Sequence, residues 1–160
     1  MKKLCCLVLT FCMVFCLWGC KKKIELQNFE FSGFEITLTN EFKEKDKGYL
    51  LLYTDKVKIA IVPSPVSSLA DMTLSEYAKL TAESLENLTE FETIAHDSYG
   101  SDAFVYEYSV ETEEFEESKN ILAVYKGAEY YYNVTFACAE ENYETYRSQF
   151  IEWLKTVHVT

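Results

Sequence analysis

Past its twentieth residue the chain is nearly without cysteine, and throughout it is poor in histidine, proline and glycine. Of 160 residues, five are Gly, two Pro and two His, and five of the six Cys fall at or before Cys20. Each scarcity removes a class of function. Five glycines with no cluster between a strand and a helix leave no phosphate-cradling loop. Two histidines and no closely spaced Cys, His or Asp set match no zinc or transition-metal site. Basic residues are also few, 15 against 26 acids for a net charge of −11. Such a charge opposes any grip on nucleic acid phosphates. A hydrophobic fraction of 49% and an aromatic fraction of 16% are too high for a disordered chain.

What is present begins with an address. Met1-Lys2-Lys3 is a basic start, and from Leu4 to Trp18 only Thr10 is not strongly apolar. A membrane-spanning helix needs about 20 apolar residues, so this shorter run reads as an export signal. Leu17-Trp18-Gly19-Cys20 resembles the lipobox of bacterial lipoproteins, although Trp18 stands where a small residue is usual. The resemblance implies cleavage between Gly19 and Cys20, a diacylglyceryl thioether on Cys20, and a protein lipid-anchored on the extracytoplasmic face of the cell membrane. An uncleaved signal anchor or an ordinary secretory signal is the alternative. Residues 1–19 are therefore expected to be signal, 20–28 a lipidated cysteine and tether, and 29–160 one domain. Removing 1–19 takes two lysines and no acid, leaving 13 − 26 = −13. Cys138 then remains alone in the domain, so no internal disulfide is expected and stability must come from the core.

Along the domain, period-two patterning dominates. Phe34, Ile36 and Leu38 alternate with polar neighbours as a half-buried strand does. Glu41 to Lys47, ending at Gly48, reads as a solvated turn. Strands are expected at Tyr49–Thr54 and Val57–Val62, turning at Asp55-Lys56 and stopped by Pro63 and Pro65. Thr73-Leu74-Ser75-Glu76 is a capping box opening a helix to about Leu88, with a buried stripe of Leu74, Tyr77, Ala78, Thr81, Leu85 and Leu88. Further strands are expected at about Phe91–Asp97, Ala103–Val110, Asn120–Tyr125 and Tyr130–Cys138. In the last, Tyr130, Tyr132, Val134, Phe136 and Cys138 share one face. A closing helix starts at the N-cap candidate Asn142 and carries Tyr143, Tyr146, Phe150, Trp153 and Leu154 on one side; Val157–Val159 is an extended tail. This order predicts an α+β fold, an antiparallel sheet of about six or seven strands packed between helices.

The Phe34-Glu35-Ile36 strand, the Thr73–Leu88 helix after a proline stop, the Ala128-Glu129-Tyr130-Tyr131-Tyr132 strand and the terminal Phe150-Ile151-Glu152-Trp153-Leu154 helix together resemble PsbP-like domains. That family includes the extrinsic photosystem II subunit, Ran-binding relatives and many bacterial lipoproteins. The resemblance lies in layout and apolar pattern across most of Phe29–Val159. It implies a sheet sandwiched between helices and a role in binding or stabilising other proteins. It brings no catalytic residues.

Candidate chemistry in the residues themselves is sparse. His96-Asp97-Ser98 names the members of a hydrolase triad, but neighbours in a strand point to opposite faces. Cys138 with His158 would make a thiol and base pair, yet Cys138 sits on an apolar strand face, where a thiol is protonated and inert. Glu111, Glu113, Glu114, Glu116 and Glu117 form a dense acidic loop without the Asp spacing or central Gly of a calcium loop, and read as solvated. Most of the twelve tyrosines fall at core spacing; Tyr106, Tyr108 and Tyr131 are the ones assigned to a less covered face or rim.

Charge is unevenly placed. Cys20–Lys58 nets 8 − 7 = +1, Ile59–Ser118 nets 1 − 14 = −13 and Lys119–Thr160 nets 4 − 5 = −1. Lysines 21–23 would lie at the anionic membrane surface, each contributing about 1 kcal/mol of attraction, with the acidic segment facing outward. The sequence thus points to a membrane-tethered, non-catalytic binding or accessory module of the cell envelope without cofactors. Its partner would be a protein or a cationic ligand, met by the five loop glutamates with Tyr106, Tyr108 and Tyr131. The alternatives are a cell-envelope hydrolase with a site assembled across the chain, or a structural envelope component.

Overall fold

The computed structural model describes residues 23–69, 72–86, 91–99, 101–110 and 117–160. The signal, Gly19, Cys20 and the glutamates at 111, 113, 114 and 116 lie outside the described residues. Ten strands and two helices follow in the order β1 (Leu26–Phe31), β2 (Phe34–Thr39), β3 (Lys43–Asp46), β4 (Leu50–Tyr53), β5 (Val57–Pro65), α1 (Leu74–Glu86), β6 (Phe91–Tyr99), β7 (Ser101–Val110), β8 (Ser118–Lys126), β9 (Tyr130–Ala139), α2 (Glu140–Leu154) and β10 (His158–Val159). Seven strands form one antiparallel sheet in the order β3-β4-β5-β9-β8-β7-β6, and three form a second in the order β1-β2-β10. The α+β expectation holds, with one addition. Helix α1 covers one face of the large sheet, whereas α2 and the small sheet share the other.

Local chemistry accounts for most of these elements. The β1–β2 hairpin turns on Ser32 and Gly33, both at positive φ (50° and 81°), the signature of two-residue type I′ turns. It sets Phe31 opposite Phe34 and places Phe34, Ile36 and Leu38 inward. Thr54 closes the β4–β5 hairpin, its hydroxyl accepting from the amides of Lys56 (3.3 Å) and Val57 (3.1 Å). The capping box forms in full. The Thr73 amide and hydroxyl donate to Glu76 Oε2 at 2.8 and 2.9 Å, and the Glu76 amide donates to Thr73 Oγ1 at 3.2 Å. These bonds favour the charged carboxylate and hold the Glu76 pKa below its usual value.

Several expectations are corrected. Strand β1 takes in Leu26, Gln27 and Asn28, which composition alone assigned to the tether; the Glu25 carbonyl also accepts from Asn40 at 2.8 Å. Lys43–Asp46 is an edge strand rather than a turn, fully exposed and alternately charged, the composition that keeps an open edge from pairing with other chains. Pro63 and Pro65 do not stop β5. The Val66 amide bonds Glu129 on the β9 side, so by alternation residues 63 and 65 turn their nitrogens to the other side. There β4 ends opposite Ile61, and no amide is needed. Helix α2 begins at Glu140, two residues before the expected cap at Asn142. It leaves β9 directly through Ala139, and the Glu117 carbonyl accepts the Glu140 amide at 3.1 Å in place of a side-chain cap. Glu140 and Glu141 occupy its first turn, where the helix dipole favours acids. The extended tail is strand β10, paired with Glu35 and Phe34 of β2.

The main core lies between the large sheet, the small sheet and α2. Ile59, Ile61, Val134 and Phe136 from the large sheet meet Phe34, Ile36 and Leu38 from β2 and Phe150 and Leu154 from α2. Rings interlock here, with Phe136 5.3 Å from Phe150 and Phe42 set edge-on to Trp153 at 5.3 Å. Thr156, just past α2, replaces a strand partner for β2: its hydroxyl accepts from the Thr37 amide (3.0 Å) and lies 3.2 Å from the Thr37 carbonyl. A smaller core under α1 joins Tyr77, Ala78 and Ala82 to Tyr106, Leu122, Val124 and Tyr131.

Candidate functional site

The faces of the large sheet decide where a site can form. Beneath α1, tyrosine tips are tied to polar partners. Tyr77 and Tyr131 stack at 4.2 Å, and the Tyr77 hydroxyl accepts from Asn133 Nδ2 (3.1 Å) and donates to Ser64 Oγ (3.2 Å). The Met72 carbonyl takes both the Tyr131 hydroxyl and Lys126 Nζ, the latter at 2.7 Å. Two of the three tyrosines assigned to a rim are therefore core residues. Tyr131 is fully buried and Tyr106 is 4% exposed, because α1 lies across β7 and β8 and covers that part of the face. Tyr108 is partly buried, its pKa raised by burial and lowered in part by a hydrogen bond with Thr135. Glu117 is exposed.

The backbone placement opposes both catalytic combinations. His96, Asp97 and Ser98 are consecutive in β6, in register with Phe104, Ala103 and Asp102, and successive positions of a strand alternate between faces. Cys138 is fully buried on the α2 face, as expected, and burial pushes its thiol up to about 11. His158 belongs to β10, whose neighbour Thr160 bonds the Ala128 amide before the start of β9. Cys138 is near the other end of β9. At a rise of about 3.4 Å per residue the two are on the order of 20 Å apart.

Glu107 of β7 fastens α2 to the large sheet. Its carboxylate lies 3.2 Å from Arg147 Nε and 3.9 Å from Lys119 Nζ. The neighbouring Tyr143 hydroxyl is buried beside this pair. Burial, reinforced by the Glu107 charge, raises its pKa strongly. Among the described residues no three His, Cys, Asp or Glu side chains gather as a metal site, and no helix is long and apolar enough to cross a membrane.

One cleft brings together residues that the sequence keeps far apart. It encloses about 510 Å³ between the β2–β3 connection (Thr39, Glu41, Phe42, Lys43), the β4–β5 turn (Thr54, Asp55, Lys56, Val57) and Tyr146, Gln149 and Trp153 of α2. Pockets for small ligands run from about 300 to 1,000 Å³. The floor is apolar: Val57, Phe42 and Trp153 are 2%, 6% and 9% exposed. The rim is charged, with Glu41, Lys43, Asp55 and Lys56 all exposed. An apolar bottom under a polar mouth excludes water below and orients a ligand above. Sequence reasoning missed this site because three segments build it. The legible part was the spacing of Tyr146, Gln149 and Trp153, which puts all three on one side of α2.

No family model and no curated protein sequence matches the chain. Solved structures share its fold, among them one from Synechocystis and one from Saccharomyces cerevisiae. The cyanobacterial PsbP protein CyanoP from Synechocystis is 17% identical, with a TM-score of 0.58 over 89% of this chain and 96% of that one. The Ran-binding protein Mog1p of Saccharomyces cerevisiae is 9% identical, with a TM-score of 0.55 over 86% of this chain and 96% of that one. The chain has a PsbP-like fold, as its element order had implied.

Proposed function

We propose that the protein is a lipid-anchored module on the extracytoplasmic face of the cell membrane that binds a partner and carries out no chemistry of its own. The observation that carries the binding half is the cleft, an apolar floor beneath a rim of both charge signs. Such a surface recognises; its lining brings no nucleophile together with a base and an orienting third group. Mog1p, of the same fold, is a Ran-binding protein, which favours a protein or peptide as the partner. Cys138, the one thiol expected in the processed domain, is sealed in the core and protonated at physiological pH. The address rests on the basic start, the short apolar run and the Leu17–Cys20 lipobox. Two or three acyl chains hold a protein at a membrane where one does not.

Crosslinking in intact cells followed by capture of the full-length protein tests the binding half. A specific protein or peptide adduct, reduced when Trp153 is replaced by Ala, is expected; an adduct pattern no different from that of an unrelated lipoprotein rejects it. Radiolabelled palmitate tests the address. Wild type should take up label and Cys20→Ala should lose it while keeping its signal peptide. Equal labelling of the two proteins rejects lipidation at Cys20.

A further inference from the structure

The mouth of the cleft carries four charged side chains. Each wall carries one acid and one base: Glu41 and Lys43 on the β2–β3 connection, Asp55 and Lys56 on the β4–β5 turn. Both walls thus hold the means to neutralise themselves or each other. None of the four side chains forms an ion pair or hydrogen bond with another described residue. Some charged groups elsewhere in the fold do pair, as Lys119 and Arg147 do with Glu107 and Lys155 does with Glu152.

The backbone under these residues is fixed. The Thr54 hydroxyl holds the amides of Lys56 and Val57, Lys43 is in register with Tyr53, and Phe42 is pinned edge-on against Trp153. Tyr146 is stacked on Phe150 at 6.0 Å and stays partly exposed. A rigid frame therefore presents two anionic and two cationic groups around an aromatic floor. Solvent can satisfy each charge singly. A solute carrying one ammonium, one carboxylate and an apolar group between them can satisfy both signs and the floor at once.

We propose that the cleft takes short peptides with both termini free and an apolar side chain. The ammonium is received between Glu41 and Asp55, the carboxylate between Lys43 and Lys56, and the side chain rests on Tyr146 and Trp153. Peptide ends meet charged partners through charge-assisted hydrogen bonds, stronger than neutral ones. This inference rests on the binding-module reading and specifies the ligand of that same site.

The test uses the full-length chain in detergent with Trp18→Phe, which leaves Trp153 as the sole tryptophan and places the reporter in the cleft floor. Titration with leucyl-phenylalanine should give a saturable change in Trp153 emission that weakens as salt is added. N-acetyl-leucyl-phenylalanine amide, with neither terminal charge, should bind about tenfold or more weakly. Asp55→Asn and Lys56→Gln should each weaken the free dipeptide about tenfold, the scale of one charge-assisted hydrogen bond. Both positions are exposed, and unchanged melting will show that the variants fold. Equal binding of blocked and free peptides, a saturable response to N-acetylglucosamine instead, or no response to the free dipeptide each overturns the proposal. The crosslinking result is independent of all three, so the broader reading stands or falls separately.

Discussion

The two faces of the large sheet solve the same problem by different means. On the α2 side, Ile59, Ile61, Ile121, Val134 and Phe136 meet a second layer of Phe34, Ile36, Leu38, Phe150 and Leu154, with Tyr125, Tyr132 and Tyr143 among the largest fully buried members. Stability there comes from area removed from water, roughly 1.5–3 kcal/mol for each large side chain fully buried. On the α1 side the cover is one helix, and the contact is made of tyrosines whose hydroxyls seek partners. Beyond it Ser118 and Asn120 are buried among hydrogen bonds to the Val110 and Tyr108 carbonyls. The difference separates strength from placement. Apolar contacts hold whatever packs well, whereas directional bonds such as those converging on Met72 fix where α1 starts.

Three measurements would break or sharpen that contrast. The largest effect belongs to Phe136→Ala, expected to cost about 3–5 kcal/mol in urea unfolding. A loss under about 1 kcal/mol would mean that the α2 face is not the main source of stability. Tyr131→Phe should cost only about 1 kcal/mol, the usual worth of one hydrogen bond. Its clearer signature is faster amide exchange at the start of α1, where the Met72 carbonyl loses one donor. A cost equal to that of Phe136→Ala would erase the distinction. The smallest effect is alkaline. Cys138 has its pKa raised from 9.0 to about 11 by burial, so the folded state favours the neutral thiol. Its contribution is complete below pH 9 and fades as pH rises towards 11. Stability followed over that range should fall less steeply in Cys138→Ala, and the native thiol should resist iodoacetamide at pH 8.5. Buried Tyr143, also raised, adds to the loss above pH 10 in both proteins.

Much of this architecture could be read from local pattern. The Thr73–Glu76 box, the alternation of β2 and the inward set of β9 depend on neighbours in sequence, and each stands where it was expected. Features decided by distant neighbours were hidden. Pro63 and Pro65 look like stops until β4 is seen to end at Ile61. Tyr131 looks like a rim residue until α1 lies over it, and the Lys43–Asp46 strand is too polar to announce itself. Asn142 has the right chemistry for a cap, but the Glu117 carbonyl reaches the helix start first. The cleft is the extreme case, built from segments around residues 40, 55 and 150 that share no motif.

The junction at Thr160 has a consequence for the order of assembly. Its amide donates to the Gly33 carbonyl and its carbonyl accepts from Ala128, so it is stitched between two turns from different sheets. A Cβ on Gly127 would sit 2.6 Å from the Thr160 carbonyl oxygen, so that turn is shaped around residue 160. The bridge from residue 33 to 160 spans 127 positions, and links of such range are slow to close and form late. Residue 33 must wait for residue 160 to be made. Until then β2 lacks β10 beside it, and the small sheet stays incomplete while the chain is being made.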